Sequence, residues 1–233
     1  MRPFLVACAL SLLATTCIVN QPALRTERVG PRVEVNGARL EAAVRSLATR
    51  FALRDAAHPA NLAATAAWIG AELAATGAVV SSQVWATDGA QYRNVVARIG
   101  PESGERIAVG AHYDTAGPLP GADNDASGVA ALLELAHLLA RKPPPLTVEL
   151  VADSLEEPPY FATPQMGSVQ HANLLEDSGV PVRAMLALEM LGYFSDEPDS
   201  QHFPSAALGV LYPHRATSLR WSATSRRARS SGV

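Results

Sequence analysis

"RIAVGAHYDTAGPLPGADNDASGVAALLELAHLLA", Arg106 to Ala140, decides the fold. It opens with "RIAVGAHYD", an apolar run of strand length, and passes through a loop punctuated by Gly117, Pro118, Pro120 and Gly121. It closes with "ASGVAALLELAHLLA", which is apolar almost all round. That pattern predicts a helix buried against a sheet, stopping near Arg141 ahead of Pro143, Pro144 and Pro145. Strand, polar loop and buried helix together are the unit from which α/β domains are built.

Upstream of this unit, Leu40, Ala43, Val44, Leu47, Ala48 and Phe51 recur at helical spacing and predict one helix over 35–54; a second is predicted over Leu62 to Leu73, stopped by Gly77. "AVVSSQVWA" and "YRNVVARIG" then read as strands joined by "TDGAQ", with Asp88-Gly89 at the centre of the turn. Downstream, "LTVELVA" reads as a central strand, Ser168 to Glu176 as a helix, and "VRAMLALEML" as another buried strand. The alternation predicts an α/β fold with a largely parallel or mixed sheet.

Composition narrows the function. In 233 residues, 48% are hydrophobic and 18% charged, which is ordinary for one globular domain. A formal net charge of −3 gives no footprint for nucleic acid, and none is expected as a partner. Arg2 ahead of the apolar run Phe4 to Val19 fits an export signal or short N-terminal membrane attachment over 1–20. The run falls short of the roughly 20 apolar residues of a spanning helix. The protein is therefore expected to be exported: periplasmic, secreted or envelope-attached. "LATTC" also matches a weak lipoprotein signal at Cys17, with Thr16 in place of the usual small residue. Both cysteines, Cys8 and Cys17, lie in this segment, so any metal in the domain must bind through His and carboxylates.

Those residues cluster by predicted position. His112, the triplet Asp123-Asn124-Asp125, the pair Glu156-Glu157, and Glu189 all fall at or just past predicted strand ends, where open α/β sheets bind ligands. His112 and Asp114 are two apart on an extended segment, so Asp114 can orient the imidazole. In the adjacent pair, one glutamate can bind metal while its neighbour acts as general base. Glu189 lies in the otherwise apolar "MLALEMLGYF", where a buried carboxylate requires a partner. "DNDASGVAALLE" also fits the letters of a calcium-binding EF-hand loop, but the residues from Ala126 onward read as unbroken helix and no helix precedes the loop, which argues against that use.

"GAHYDT", "PGADNDASGVAALLELA", "SLEEPPYF", "MGS" and "LALEMLGYF", in this order, resemble the zinc-dependent exopeptidases that include bacterial leucyl aminopeptidases and glutamate carboxypeptidases. The resemblance covers roughly Leu40 to Pro213. It implies a mixed, mostly parallel, eight-stranded twisted sheet between helices, its C-terminal part missing here, and two zinc ions sharing a bridging carboxylate. It also implies His112 as ligand of the first zinc, Asp114 as its orienting partner, Glu156 as general base, Glu157 as ligand of the second zinc, and Glu189 as completing the first. The implied activity is zinc-assisted hydrolysis of terminal bonds in a peptide or small amide, most simply by an aminopeptidase. A non-catalytic relative with a decayed metal site, or a single-zinc enzyme that cyclises N-terminal glutamine, are the alternatives.

The sequence departs from that family in three places. The bridging position, aspartate in the family, is Asn124, so either Asp123 or Asp125 is expected to bridge in its place or the second metal is lost. Glu189 stands where aminopeptidases more often have Asp. The family's last zinc-binding histidine is expected beyond the residues that match. Residues 21–213 thus read as a truncated exopeptidase domain and 214–233, rich in Arg and Ser, as an aberrant tail without strand or helix period. A shifted reading of plausible codons for Ala216 to Ala223 yields "DFLALVG", which fits a change of frame. This chain is accordingly expected to be poorly soluble or inactive.

Overall fold

The computed structural model describes residues 33–203, 214–216 and 222–224. The export segment, both cysteines and most of the tail lie outside the described residues. The chain divides into two compact units, one of Val35–Tyr193 with Leu219–Val233, the other of Met1–Glu34 with Phe194–Ser218. In the smaller unit, Ser195 N–H donates to Ala216 O at 3.1 Å and Gln201 N–H to His214 O at 3.0 Å.

The larger unit carries the sheet. Its helices are α1 (Gly37–Arg45), α2 (Pro59–Ala75), α3 (Ala126–Arg141) and α4 (Gly167–Asp177). Its strands are β1 (Val79–Thr87), β2 (Ala90–Ile99), β3 (Arg106–His112), β4 (Thr147–Asp153), β5 (Val182–Ala187) and β6 (Ser222–Thr224), in the order β1-β2-β4-β3-β5-β6. β3 runs parallel to both β4 and β5, whereas β1–β2, β2–β4 and β5–β6 are antiparallel. The sheet is therefore mixed, as expected, but parallel pairing is confined to its centre among the described residues. Asp88 and Gly89 both take positive φ, which joins β1 to β2 by a tight turn and makes that pair antiparallel, while β2 docks antiparallel on β4 through its other edge.

Side-chain alternation along the strands sorts the helices onto two faces. Val95, Ala97, Val109, Ala111, Leu150 and Ala152 share one core with Leu62, Ile69, Leu73, Val129 and Leu132 from α2 and α3. On the opposite face, Asn94 Nδ2 donates to Gly167 O at 2.7 Å and His171 Nε2 meets Glu149 Oε1 at 2.9 Å, which seats α4. Glu149 is buried there and also receives Arg106 at 2.9 Å, so its charge is matched.

Three elements differ from expectation. The first helix ends at Arg45 and continues as one π turn, Ser46–Arg50, closed by Phe51 N–H to Ser46 O at 3.0 Å; Thr49 Oγ1 bonds back to Arg45 O within it. The strand expected over "VRAMLALEML" stops at Ala187: Leu188 N–H makes one more bond to the sheet, at Gly110 O, and the amides of Met190, Leu191 and Gly192 are then claimed by the side chains of Asp125, Ser127 and Asp123. Ser222–Thr224 pairs antiparallel with β5, where composition offers no strand period. Among the described residues, no helix is long and apolar enough to cross a membrane.

Candidate metal centre

β4, β3 and β5 are mutually parallel, so their carboxyl ends lie side by side. The three segments leaving this edge begin at His112, Asp153 and Ala187. Each carries part of the expected constellation, as the strand-end rule requires.

Within it, His112, Asp125 and Glu189 each offer a ligand atom, and these atoms lie within 4.8 Å of one another. His112 Nε2 is 3.6 Å from Glu189 Oε1. Two ligands sharing one tetrahedral zinc stand about 3.3 Å apart, so the spacing is close to what a common ion needs. Asp125 is wholly buried; its Oδ1 accepts Gly128 N–H and Met190 N–H, both at 3.1 Å, while Oδ2 is buried without a partner. A buried carboxylate oxygen facing no donor is costly, and a cation beside His112 and Glu189 would satisfy it. The donor set of one imidazole and two carboxylates suits zinc.

Asn124 links this group to Glu157. Its Oδ1 is 2.9 Å from His112 Nε2, and its Nδ2 donates to Glu157 Oε1 at 2.8 Å. Asp114 lies beneath, accepting Glu156 N–H at 3.1 Å and Glu157 N–H at 3.0 Å, with its Oδ1 3.4 Å from His112 Nδ1. One buried carboxylate thus fixes the backbone of both glutamates and faces the histidine. Glu156 turns to the start of α4, where Ser168 N–H and Ser168 Oγ donate to its two oxygens at 2.6 and 2.9 Å.

The electrostatics follow from this crowding. Burial opposes a charged His112, but Asp114 and Glu189, with Asp125 nearby, outweigh it and push the imidazole up to about 11. Asp125 is pushed up to about 7 by burial, against the pull of His112. Glu156 is raised by burial, and the two Ser168 bonds moderate the rise. Asp153, wholly enclosed at the end of β4, is held far above the usual carboxylate range. The pocket favours added positive charge.

Two sequence expectations need correcting. Asp123 is not brought into the metal-binding group: its Oδ1 accepts Gly192 N–H at 2.8 Å and Ser127 Oγ at 3.2 Å, so it anchors the segment that bears Glu189. Glu189 itself is not buried but 52% exposed, because the run that looked like a buried strand leaves the sheet before reaching it. The EF-hand letters find no use either, since Glu134 lies within α3, paired with Arg39 at 2.7 Å.

Sequence reasoning missed Arg54. It is fully buried, donating to Leu47 O, Pro120 O and Gly121 O at 2.7, 2.8 and 2.7 Å, and so pins the loop that leads to Asn124. Burial lowers it to about 10 while Asp114 and Asp125 hold its charge. Arginine is rarely enclosed, and nothing in "FALRDAAH" marks it as the exception. Ser168 was legible only as part of "MGS", without its role.

A mixed sheet between helices, with a His-carboxylate group at the ends of its parallel strands, is the frame of a metallopeptidase. The chain belongs to peptidase family M28, whose pattern matches residues 94–228. It is 49% identical over 135 residues to YfbL of Escherichia coli K12, covering 54% of this chain and 41% of that protein. It is 36% identical over 109 residues to a probable zinc metalloprotease of Leptosphaeria maculans, covering 42% of this chain and 24% of that protein. The chain therefore spans less than half the length of these relatives.

Among solved structures, the glutaminyl cyclase of Bacteroides thetaiotaomicron superposes with a TM-score of 0.61 at 26% identity, covering 72% of this chain and 66% of that one. A leucine aminopeptidase precursor from the same organism gives 0.59 at 26% identity, covering 73% and 67%.

Proposed function

We propose that the protein is a zinc-dependent exopeptidase that removes residues from the amino end of peptides. The observation that carries this reading is the convergence of His112, Asp125 and Glu189 at the carboxyl ends of β3 and β5 and at the start of α3, with Glu156 held nearby. Family membership and the likeness to a leucine aminopeptidase precursor support it. The apolar segment behind Arg2 supports delivery to the periplasm, envelope or medium.

His112, Asp125 and Glu189 would hold the metal. Zinc, when bound, acidifies water and polarises a carbonyl. The remaining work belongs to the chain's own groups. Glu156 takes the proton of the attacking water on its carboxylate and returns it to the leaving amine. Ser168 keeps that carboxylate in place by two donors, and Asp114 fixes the peptide groups of Glu156 and Glu157. The raised pKa of Glu156 makes it a better proton acceptor than an ordinary surface glutamate.

The likeness to a glutaminyl cyclase, equal in identity and comparable in superposition, favours a second reading: cyclisation of an N-terminal glutamine. A substrate panel separates the two. It would contain aminoacyl-anilides, N-acetylated counterparts, carboxypeptidase substrates and peptides starting with glutamine. It is run with zinc and with chelator, on this chain and on a version continued in the shifted frame after Pro213. Zinc-dependent cleavage of only the free-amine anilides is expected from the continued version. Conversion of glutamine peptides to pyroglutamate without hydrolysis would transfer the assignment to the cyclase, and zinc-independent or absent turnover throughout would remove both.

A further inference from the structure

A carboxylate and a carboxamide have the same shape but not the same two ends. Aspartate presents an acceptor oxygen on each side, whereas asparagine presents one oxygen and one NH2 donor. Asn124 stands between His112 and Glu157, and which end faces which is fixed by chemistry. Glu157 is acceptor-only when ionised, so the amide nitrogen must point to it, and the oxygen then faces His112.

We propose that the site holds one divalent cation, on the His112 side, ligated by His112, Asp125 and Glu189, and that Glu157 serves Asn124 instead of a second ion. An NH2 group cannot ligate a metal, so Asn124 cannot bridge two ions. Neither neighbouring aspartate is free to act as a shared carboxylate. Asp123 is committed to Gly192 N–H and Ser127 Oγ. Asp125 spends Oδ1 on two amides, leaving Oδ2 as its one buried oxygen without a partner, and Asp125 already groups with His112 and Glu189.

The charge agrees. A neutral imidazole with the carboxylates of Asp125 and Glu189 balances one dication. On the other side, Glu157 already has a hydrogen-bond donor at 2.8 Å, and its backbone N–H is tied to Asp114.

This rests on the metallopeptidase reading, but its test does not measure turnover. The full chain is stripped with chelator and titrated with Zn2+ against a chromophoric competitor, and bound zinc is counted by native mass spectrometry; far-ultraviolet circular dichroism checks each variant. One tight equivalent is expected for the wild type, and a second, weaker one for Asn124→Asp, whose added carboxylate would join Glu157. Glu157→Gln should keep one at unchanged affinity, whereas Glu189→Ala, at a half-exposed position that tolerates truncation, should weaken zinc on the order of a hundredfold.

A wild-type count of two or of none would overturn the proposal. So would Asn124→Asp remaining at one, or Glu157→Gln losing zinc as badly as Glu189→Ala. One equivalent without any hydrolysis would sink the peptidase reading alone. Two equivalents with zinc-dependent hydrolysis would sink this inference alone.

Discussion

At Ser168 two donors converge on one carboxylate, and their removal separates a positioning role from a packing one. Ser168→Ala deletes the 2.9 Å bond from Oγ and leaves the N–H in place. A hydrogen bond to a charged group contributes about 1.5–3 kcal/mol, so kcat should fall roughly tenfold to hundredfold with KM little changed. The sign of the pH effect is fixed as well. Burial raises Glu156 and Ser168 lowers it, so losing one bond raises the pKa further and moves the acid limb of kcat/KM to higher pH. Ser168→Thr, which keeps the hydroxyl, should restore both; a pH profile that does not move would assign Ser168 to packing alone. None of this was readable from "MGS". The positions of His112, Glu156 and Glu157 at strand ends were readable, because their places after apolar runs are properties of the chain. The partner of Glu156 comes from residues 12 positions away in a different element.

At the level of elements, the site is held by loops that borrow each other's side chains. Asp123, Asp125 and Ser127 accept the consecutive amides of Gly192, Met190 and Leu191, which explains why β5 ends early and where Glu189 sits. A strand period could not reveal this, since the sequence of "MLALEML" suits a ladder and only competition from the 123–127 loop cancels it. The helix that follows that loop was legible, because its apolar residues occupy nearly every position. Arg54 is the other tie. Arg54→Met would leave three loop and helix-end carbonyls without their donor and the charge of Asp114 and Asp125 uncompensated. A loss of about 3 kcal/mol is expected, read as a lower urea midpoint at unchanged slope. A midpoint within error of wild type would show that the loop does not depend on the guanidinium.

Gly167 tests the other side of the sheet. A Cβ there would strike Asn94 Oδ1 and the backbone of Ser154, so Gly167→Ala should shift the start of α4 and weaken the hold on Glu156. Activity should fall more than stability, and equal losses in both would argue for a general packing defect.

Across the whole molecule, α4 is fastened to the sheet by an ion cluster with a defined pH response. Burial raises Glu149, but His171, Arg106 and Arg98 outweigh it and hold it below the ordinary glutamate value. A depressed folded pKa contributes stability that is complete above the unfolded value and is lost as pH falls through the folded one. Wild-type stability should therefore drop in that acid window, and Glu149→Gln should be less stable at neutral pH but show a shallower drop, measured by urea unfolding at stepped pH. The overall plan, an α/β sheet with its chemistry at one edge, was legible from the spacing of apolar runs. The extent of antiparallel pairing was not, since it depends on where β2 docks, and that is settled by partners distant in sequence.

In the proposed mechanism a metal held by His112, Asp125 and Glu189 works with Glu156 as proton carrier. Glu156→Gln tests it most directly, with zinc content and aminoacyl-anilide hydrolysis measured on the same samples. Unchanged zinc binding and a rate lower by about 10²–10⁴-fold are expected. Hydrolysis that survives the substitution, or that survives removal of zinc from the wild type, would contradict it.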